Sequence, residues 1–383
     1  MATTFSEFTN MTFTTDATYN NSSEMPVIEE MPDNIEATLI PIVFAIIFLI
    51  GVVGNVALIF TVLRHKNMRN TPNIFVVSLS VGDLLLLLFS VPFSSTLHTI
   101  TSWPYGEFVC KLGQYMETLS MGVSVFTLTA LSGDRYIAIV HPMSKHTGKP
   151  TLITVLTVVG IWILAVVLSI PEAYTALVEL RPYMYETDVN IAICFPFPQE
   201  YPMWYPKARV MFRFIVYFLI PVCIIGIFYA LIAKILIVSS REMPCETVKD
   251  TAMNAQQKRQ VKARLKVAKI VLSFIVLFII CWLPRHFYLL VAYFISPEYN
   301  MGWHVLQITS FCLKFMYSCV NPYALWFLSS QFRKYYNRYL FCCCPKFNYG
   351  RLASEQSHMY QFNSTVRRNS TTYTGVAHSQ SMC

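Results

Sequence analysis

The chain has 383 residues, of which 55% are hydrophobic and only 13% are charged, and its formal net charge is +8. Soluble domains carry about a quarter charged residues, so this composition excludes an ordinary soluble protein and indicates a chain that is solvated by lipid. The excess of basic residues does not indicate a nucleic-acid partner, because these residues do not line a polar face.

Seven apolar stretches are long enough to cross a membrane. The hydrocarbon core is about 30 Å thick and a helix rises about 1.5 Å per residue, so about 20 apolar residues span it. Because lipid offers no hydrogen bonds to the backbone, each stretch should be helical. We therefore predict an all-α membrane protein, a bundle of seven transmembrane helices. The predicted spans are 39–63, 73–99, 109–140, 152–171, 211–238, 268–295 and 304–328.

The basic residues that flank the spans predict their orientation. Residues 1–63 contain no Lys or Arg but seven acidic residues, whereas the segments "RHKNMR" and "KRQVKARLKVAK" are strongly basic. Lysine and arginine accumulate on the cytosolic side of membrane proteins. We expect an extracellular N-terminus, a cytosolic C-terminus and a multi-pass protein of the plasma membrane. No cleavable leader is predicted, so the first span should serve as the insertion signal.

The pattern predicts four regions: an extracellular arm (1–38), the bundle (39–328), an amphipathic helix with a palmitoylation site (329–345) and a disordered cytosolic tail (346–383). The arm carries acceptor sequences for N-linked glycans. The segment "SSQFRKYYNRYLF" is amphipathic, and the cysteines after it suggest acylation and contact with membrane lipid. The tail is rich in Ser and Thr, which predicts phosphorylation by a receptor kinase and docking of an arrestin. The modification sites are Asn10, Asn20 and Asn21 for glycans and Cys342, Cys343 and Cys344 for palmitate.

Short motifs on these spans resemble those of rhodopsin-like (class A) G-protein-coupled receptors. They include "GNVALIF", "SLSVGDLL", "DRY", "FIICWLP" and "NPYAL". The stretches "SWPYGEFVCK" and "CWLPRHFYLL" are similar to the peptide-binding branch that contains bombesin and endothelin receptors and the insect CCHamide receptors. One departure is Leu325, which stands where the family usually has a tyrosine that stabilises the active state.

The resemblance assigns Asp134 and Arg135 to an activation switch. In this interpretation Asp134 holds Arg135 in the quiet receptor, and Arg135 is released to a heterotrimeric G protein when the sixth span moves outward. The alternative is an ordinary charge pair at the membrane boundary, where ions cost less than in the hydrocarbon. Other predicted G-protein contacts are Pro142 and Met143. The predicted switch residues are Asp134, Arg135, Tyr136, Tyr229, Phe278, Trp282, Pro284, Asn321 and Pro322.

Asp83 is an acidic residue in the middle of an apolar span, and such residues are functional by default. The resemblance implies an allosteric sodium site, and no other cofactor is required. The alternative is a protonated structural acid. The predicted ligands of sodium are Asp83, Asn55, Ser124 and Asn321. The resemblance also implies a disulfide between Cys110 and Cys194.

The outer half of the bundle contains many charged residues for a membrane-embedded region. Residues of both signs either pair with each other, as Glu117 with Lys314 or Arg285, or bind a peptide that carries both charges. We expect the pairs in the free protein and the peptide contacts in the complex. The predicted ligand-binding residues are Glu117, Glu172, Arg213, Arg285, His286, Tyr288 and Lys314.

These patterns predict a neuropeptide receptor that activates heterotrimeric G proteins, of the bombesin or CCHamide type. No catalytic constellation accompanies the spans, so we predict no enzymatic activity. The alternatives are a receptor for a small amine, which requires an aspartate in place of Glu117, and a light receptor, which requires a lysine in place of Phe315. A receptor for some other ligand stays open, and a transporter should show duplicated halves, which the sequence lacks.

Overall fold

The structure is a computed structural model that describes residues 33–98, 100–140, 152–183, 186–198, 200–241, 251–298 and 300–340. Several predicted features lie outside these ranges: the glycan acceptors Asn10, Asn20 and Asn21, the G-protein contacts Pro142 and Met143, the cysteines Cys342, Cys343 and Cys344, and the tail 346–383.

Within the described ranges, seven long helices follow one another along the chain, and a shorter helix comes after them. Helix α5 is interrupted by a π-helical turn, Ile215–Leu219. The helices are α1 (Asp33–Arg64), α2 (Thr71–Phe89), α3 (Gly106–Val140), α4 (Leu152–Thr175), α5 (Trp204–Phe214 and Ile220–Arg241), α6 (Thr251–Phe294), α7 (Met301–Leu328) and α8 (Ser330–Leu340).

Each predicted span coincides with one of the seven long helices, which confirms the predicted fold class. The second predicted span, 73–99, is divided in the structure. Helix α2 ends at Phe89, and a one-turn helix, Val91–Ser94, starts after the break. Pro92 lies at the start of this turn, where its missing N–H costs no helical hydrogen bond.

Helices α1 to α6 are each long and apolar enough to cross a membrane. Helix α7 is less apolar, because it carries His304, Gln307, Lys314 and Asn321. All four of these side chains are buried inside the protein, between 2% and 9% exposed. Their burial agrees with the rule that polar residues of a membrane helix face the interior of the bundle.

Helix α3 lies at the centre of the bundle and packs against α2, α4, α5 and α6. Gly122 permits this close packing, because a Cβ atom there would lie 3.1 Å from Cε1 of Tyr217 and 3.2 Å from Cβ of Ala165. By contrast, α1 and α4 expose rows of large apolar side chains, such as Leu152 and Ile163, on the side facing away from the bundle. These exposed rows form the surface that lipid covers.

A two-stranded antiparallel hairpin connects α4 to α5, and the sequence did not predict it. Strand β1 (Leu177–Tyr183) pairs with β2 (Glu186–Phe195), with Leu177 opposite Phe195. Cys194 on β2 forms a disulfide with Cys110 at the start of α3, which confirms the predicted disulfide. We call this end of the bundle the hairpin end, and the end that carries Arg135 the Arg135 end.

Helix α8 is amphipathic, as predicted. Phe332 and Tyr336 are buried, whereas Arg333 and Lys334 are exposed. The described residues up to Tyr336 form one compact unit, and those from Asn337 to Leu340 are the last residues of this helix. The predicted boundaries of the terminal regions remain predictions.

Candidate functional site

A cavity of about 200 Å³ opens at the hairpin end, bounded by the one-turn helix Val91–Ser94, by α3, α4, α5, α6 and α7, and by the segment that follows β2. All the residues that the sequence predicted as ligand contacts line this one cavity. They come from five helices, α3 to α7. The predicted residues that line it are Glu117, Glu172, Arg213, Arg285, His286, Tyr288 and Lys314.

An ion pair joins α3 to α7 across the cavity. The Lys314 ammonium group donates a hydrogen bond to Oε2 of Glu117 over 2.8 Å. The Lys314 side chain is only 4% exposed, and its ammonium nitrogen lies 4.5 Å and 4.6 Å from the ring centroids of Phe311 and Phe315. Of the two partners that the sequence left open for Glu117, the structure therefore selects Lys314.

Arg213 on α5 connects both carboxylates of the cavity. Its Nη2 atom lies 3.7 Å from Glu117, and its Nε atom lies 3.8 Å from Glu172. The same guanidinium group donates to Oγ1 of Thr118 over 2.9 Å. Glu172 also pairs with Arg209, which the sequence analysis missed. Its position four residues before Arg213 was an available signal, because such residues share a face of a helix.

Arg285 on α6 contacts aromatic rings. Its guanidinium carbon lies 5.5 Å from the ring centroid of Tyr288 and 5.8 Å from that of Phe311. Tyr288 in turn stacks on Trp303, with 4.8 Å between the ring centroids. Within the described ranges, no carboxylate lies within 4.0 Å of the Arg285 guanidinium. The predicted alternative pair of Glu117 with Arg285 is therefore not formed.

The floor of the cavity presents buried polar atoms. Nε1 of Trp282, Nε2 of His286 and Oε1 of Gln307 have no hydrogen-bond partner among the described residues. All three side chains line the cavity, and none is more than 9% exposed. Buried polar atoms of this kind are costly unless something bonds to them, so their presence beside a cavity indicates a ligand surface.

Aromatic rings connect this floor to the middle of the bundle. Phe278 lies one turn below Trp282, with 6.2 Å between the ring centroids, and it also contacts Phe218 at 6.0 Å and Tyr317 at 5.6 Å. Pro284 interrupts the hydrogen bonds of α6 just above these rings. A side chain that moves at the cavity floor would therefore displace rings on α5 and α7 as well.

A polar cluster lies below the rings, around Asp83. Nδ2 of Asn321 donates to Oδ2 of Asp83 over 2.9 Å, and Nδ2 of Asn55 donates to the Ser318 carbonyl over 2.8 Å. The Oδ1 atoms of Asp83, Asn55 and Asn321 are buried without a partner among the described residues. Ser318, which the sequence analysis did not select, lies beside the Asp83 carboxylate.

Ser124 is the fourth predicted sodium ligand, and it is buried in α3 at 1% exposure. Within the described part of the chain, no hydrogen bond joins Ser124 to Asp83. The donor set contains one carboxylate and several neutral oxygen atoms. In the described ranges, no group of three His, Cys, Asp or Glu residues could hold a metal ion. The cluster therefore fits a hard monovalent cation better than a transition metal.

At the Arg135 end, hydrogen bonds hold α6 close to its neighbours. Arg135 is 8% exposed and pairs with Asp134. The Tyr229 hydroxyl on α5 donates to the carbonyl of Ala268 on α6 over 2.8 Å. Lys266 on α6 donates to Oγ of Ser330 over 3.2 Å. The predicted pairing of Asp134 with Arg135 is thus present, and we call this set of contacts at the Arg135 end the closed arrangement.

The remaining predicted switch residues, Tyr136 and Pro322, lie on α3 and α7. The Tyr136 ring lies 5.5 Å from that of Phe228 on α5. Pro322 is buried in α7, and Leu325, at the position of the family's tyrosine, is 3% exposed. Leu325 therefore fills that position with an apolar side chain that cannot form a hydrogen bond.

Comparison with known proteins agrees with this architecture. The model of the family "7 transmembrane receptor (rhodopsin family)" matches residues 54–324. The chain is 44% identical over 315 residues to the neuropeptide CCHamide-1 receptor of Drosophila melanogaster, an alignment that covers 80% of this chain and 61% of the fly protein. It is 37% identical over 309 residues to the Phe13-bombesin receptor of Bombina orientalis, which covers 80% of this chain and 76% of that receptor.

The chain thus spans less than two thirds of the length of the fly receptor. The family match nevertheless includes well over half of the chain, and it covers the helices that carry the cavity, the polar cluster and the Arg135 end. The chain therefore belongs to the rhodopsin family of seven-transmembrane receptors and is a multi-pass membrane protein.

Proposed function

We propose that this protein is a plasma-membrane receptor for an extracellular neuropeptide of the CCHamide or bombesin type, that it activates heterotrimeric G proteins, and that it has no enzymatic activity of its own. The charged cavity at the hairpin end carries the proposal. The two named relatives are receptors for peptides, and their alignments cover 80% of this chain.

The size of the cavity supports a peptide that inserts one end. Its volume of about 200 Å³ is below the roughly 300–1,000 Å³ of pockets that enclose a whole drug-sized ligand. Cys194 on β2 and Phe197, which follows β2, line the cavity. The remainder of a peptide would therefore lie outside the cavity, against the hairpin and the helix ends.

The charges of the cavity argue against the two small-molecule alternatives. An amine ligand requires a free carboxylate, but Glu117 is bound to Lys314 and Glu172 is bound to Arg209. A retinal-type ligand requires a lysine at position 315, which is a buried phenylalanine. A peptide whose polar end replaces the ion pairs of the cavity fits this site better than an amine or a retinal-type ligand.

Activation is a shift between two populations, so the peptide must bind the active arrangement more tightly than the closed one. We infer that the peptide rearranges the floor at Trp282, that Phe278 and the rings around it transmit the change, and that α6 swings outward about Pro284. This movement breaks the bond between Tyr229 and Ala268. Arg135 then leaves Asp134 and contacts the G protein, together with Pro142 and Met143.

We propose a sodium ion at the polar cluster as a regulator that favours the closed arrangement. Asp83, Asn55 and Asn321 would supply oxygen ligands, and their Oδ1 atoms have no partner among the described residues. Ser318 fits better than Ser124 as the fourth ligand of the ion, because Ser318 lies beside the Asp83 carboxylate. Sodium should raise the melting temperature of the purified wild type, compared with choline at equal ionic strength, and should have no such effect on Asp83→Asn. Equal effects of the two salts on the wild type would exclude the ion.

The other partners follow from sequence features outside the described ranges. We propose that the N-terminus is extracellular and glycosylated, that the cysteines after α8 carry palmitate in the membrane lipid, and that a receptor kinase and an arrestin act on the tail. Mass spectrometry of the purified protein tests each modification directly.

The experiment that tests the proposed function is a G-protein activation assay in cells. Synthetic CCHamide-1 and bombesin are added to cells that express the wild type, and G-protein dissociation is measured. We expect a saturable response to at least one peptide. Glu117→Lys should abolish the response at equal surface expression, because it reverses a charge between Lys314 and Arg213.

Glu107→Lys is the matched control, since it makes the same change in the same helix at an exposed side chain. It should respond as the wild type does. A wild type that reaches the cell surface but responds to neither peptide would contradict the proposed function.

A further inference from the structure

The cavity contains more positive than negative charge. Among the described residues that line it, four are cationic and two are anionic, which leaves an excess of two positive charges. Both carboxylates are already engaged, since Glu117 pairs with Lys314 and Arg213, and Glu172 pairs with Arg209 and Arg213. A ligand that carries an additional cation into this space would find no free carboxylate.

Arg285 differs from the other three cations of the cavity. Arg209, Arg213 and Lys314 each have a carboxylate within 4.0 Å, whereas Arg285 has none among the described residues. Its guanidinium group instead lies over the rings of Tyr288 and Phe311. A guanidinium group on a ring face uses its flat surface and leaves its N–H donors, which point outward in its plane, for other acceptors.

The surroundings of Arg285 are arranged to hold this orientation. Tyr288 is itself stacked on Trp303, which fixes the ring that supports the guanidinium group. Next to Arg285 along α6, the ring of His286 is fixed by Phe218 at 5.1 Å. A donor that is fixed before binding loses less side-chain entropy when the ligand arrives.

The floor of the cavity supplies an independent observation. The side chains of Trp282, His286 and Gln307 line the same space, are at least nine-tenths buried, and each has a polar atom without a partner among the described residues. The Trp282 N–H can only donate a hydrogen bond. Together with the Arg285 donors, it favours a ligand group that accepts several hydrogen bonds within a small volume.

We propose that Arg285 is a specificity-determining residue that binds a planar oxygen acceptor of the peptide, a carboxylate or a carboxamide carbonyl, at the base of the cavity. The inference rests on the proposed peptide-receptor function and narrows the class of peptide. The sequence predicted a peptide that carries charges of both signs, whereas this inference requires that the inserted part of the peptide carry a planar oxygen acceptor. Planar acceptors match the fork of an arginine, whereas a lysine offers only a point charge.

The test combines receptor variants with peptide variants. The receptors are the wild type, Arg285→Lys, Arg285→Gln and the matched control Arg209→Gln, whose arginine already has a carboxylate partner. The probes are synthetic CCHamide-1 with a terminal carboxamide, the same peptide as a free acid, an analogue that lacks the terminal carbonyl, and analogues in which each acidic side chain is replaced by its amide or by alanine. Potency is measured as G-protein dissociation at matched surface expression.

Arg285→Gln should lower the potency of the parent peptide by about 10- to 100-fold, the range for a lost hydrogen bond to a charged group. Arg285→Lys should recover only part of the loss. The analogue that lacks the acceptor bound by Arg285 should be equally potent on the wild type and on Arg285→Gln. That analogue identifies whether the acceptor is the peptide end or an acidic side chain. Arg209→Gln should change the potency of all peptides by the same factor.

Stability separates a ligand contact from a structural role. Because Arg285 has no carboxylate partner to lose, Arg285→Gln should keep the melting temperature of the ligand-free receptor within about 2 °C of the wild type. An equal loss of potency for every peptide on Arg285→Gln, or no loss for any of them, would overturn the proposal while leaving the peptide-receptor function intact.

A failure of the proposed function is recognised separately, as a wild type without any peptide response. In that case the melting temperatures of the purified wild type and of Arg285→Gln are measured with two acceptor compounds, sodium glutarate and N-methylacetamide. Sodium chloride at equal ionic strength is the reference. The proposal then requires that glutarate or N-methylacetamide stabilise the wild type more than Arg285→Gln. Equal shifts of the two proteins with both compounds would refute it.

Discussion

The ion pair between Glu117 and Lys314 allows a quantitative prediction, because only one of the two residues has a second partner of opposite charge. Glu117 has a second cation nearby, since Nη2 of Arg213 lies 3.7 Å from it. In the described part of the chain, Glu117 is the one carboxylate within 4.0 Å of the Lys314 ammonium group. Replacing Glu117 should therefore destabilise the ligand-free receptor more than replacing Lys314.

The distances set the size of this difference. At an effective dielectric constant of 20, unit charges 2.8 Å apart attract by about 6 kcal/mol and charges 3.7 Å apart by about 4.5 kcal/mol. Desolvation offsets much of this attraction, so that loss of one partner of a buried pair costs about 3–5 kcal/mol. We expect that cost for Glu117→Gln. Lys314→Met leaves Glu117 in contact with Arg213 and should cost about 1–2 kcal/mol.

The assay is thermal unfolding of the purified receptor without ligand, at one scan rate, because irreversible unfolding makes the melting temperature depend on that rate. At about 2–4 °C per kcal/mol, Glu117→Gln should lower the melting temperature by roughly 6–20 °C and Lys314→Met by roughly 2–8 °C. The double variant should melt close to the wild type, since removal of both charges leaves neither unpaired. Equal losses from the two single variants, or a double variant with the sum of both losses, would refute the reasoning.

Further predictions concern packing and buried polar groups, each measured by thermal unfolding. Gly54→Ala should cost about 1–2 kcal/mol, because its Cβ would lie 3.2 Å from two carbons of the rigid Pro322 ring; Gly160→Ala, which faces open space, should be neutral or slightly stabilising. Cys110→Ala should cost about 2–5 kcal/mol through loss of the disulfide that closes 84 residues of chain, and an unchanged melting temperature would show that the hairpin is held without it. Tyr336→Phe should leave the melting temperature unchanged or raise it, because the Tyr336 hydroxyl is buried without a partner among the described residues, and a lower value would show that the hydroxyl is bonded.

The sequence predicted the seven helices because lipid leaves the backbone no alternative once an apolar stretch is long enough. It also predicted five of the six charged residues that share the cavity, since their unusual positions in apolar spans mark them individually, and it missed Arg209. It could not decide between Lys314 and Arg285 as the partner of Glu117, because the contact joins residues 197 positions apart and depends on how α3 and α7 are rotated.

Two other features were missed for similar reasons. The hairpin between α4 and α5 depends on pairing across a loop and on the disulfide that joins β2 to α3. The choice of Ser318 rather than Ser124 beside Asp83 depends on the packing of α7 against α2, which the motifs of the separate spans do not reveal. Local patterns thus identified the residues, whereas contacts between distant helices selected their partners.

The central claim is that a peptide bound at the hairpin end opens the Arg135 end to a G protein. Nucleotide exchange on a purified heterotrimeric G protein, measured with the purified receptor in nanodiscs, tests this claim without other cellular components. The account predicts that CCHamide-1 or bombesin accelerates exchange in a saturable way with the wild type and not with Glu117→Lys. Exchange that stays at the rate without peptide, although the same peptide binds the wild type in the same nanodiscs, would contradict the account.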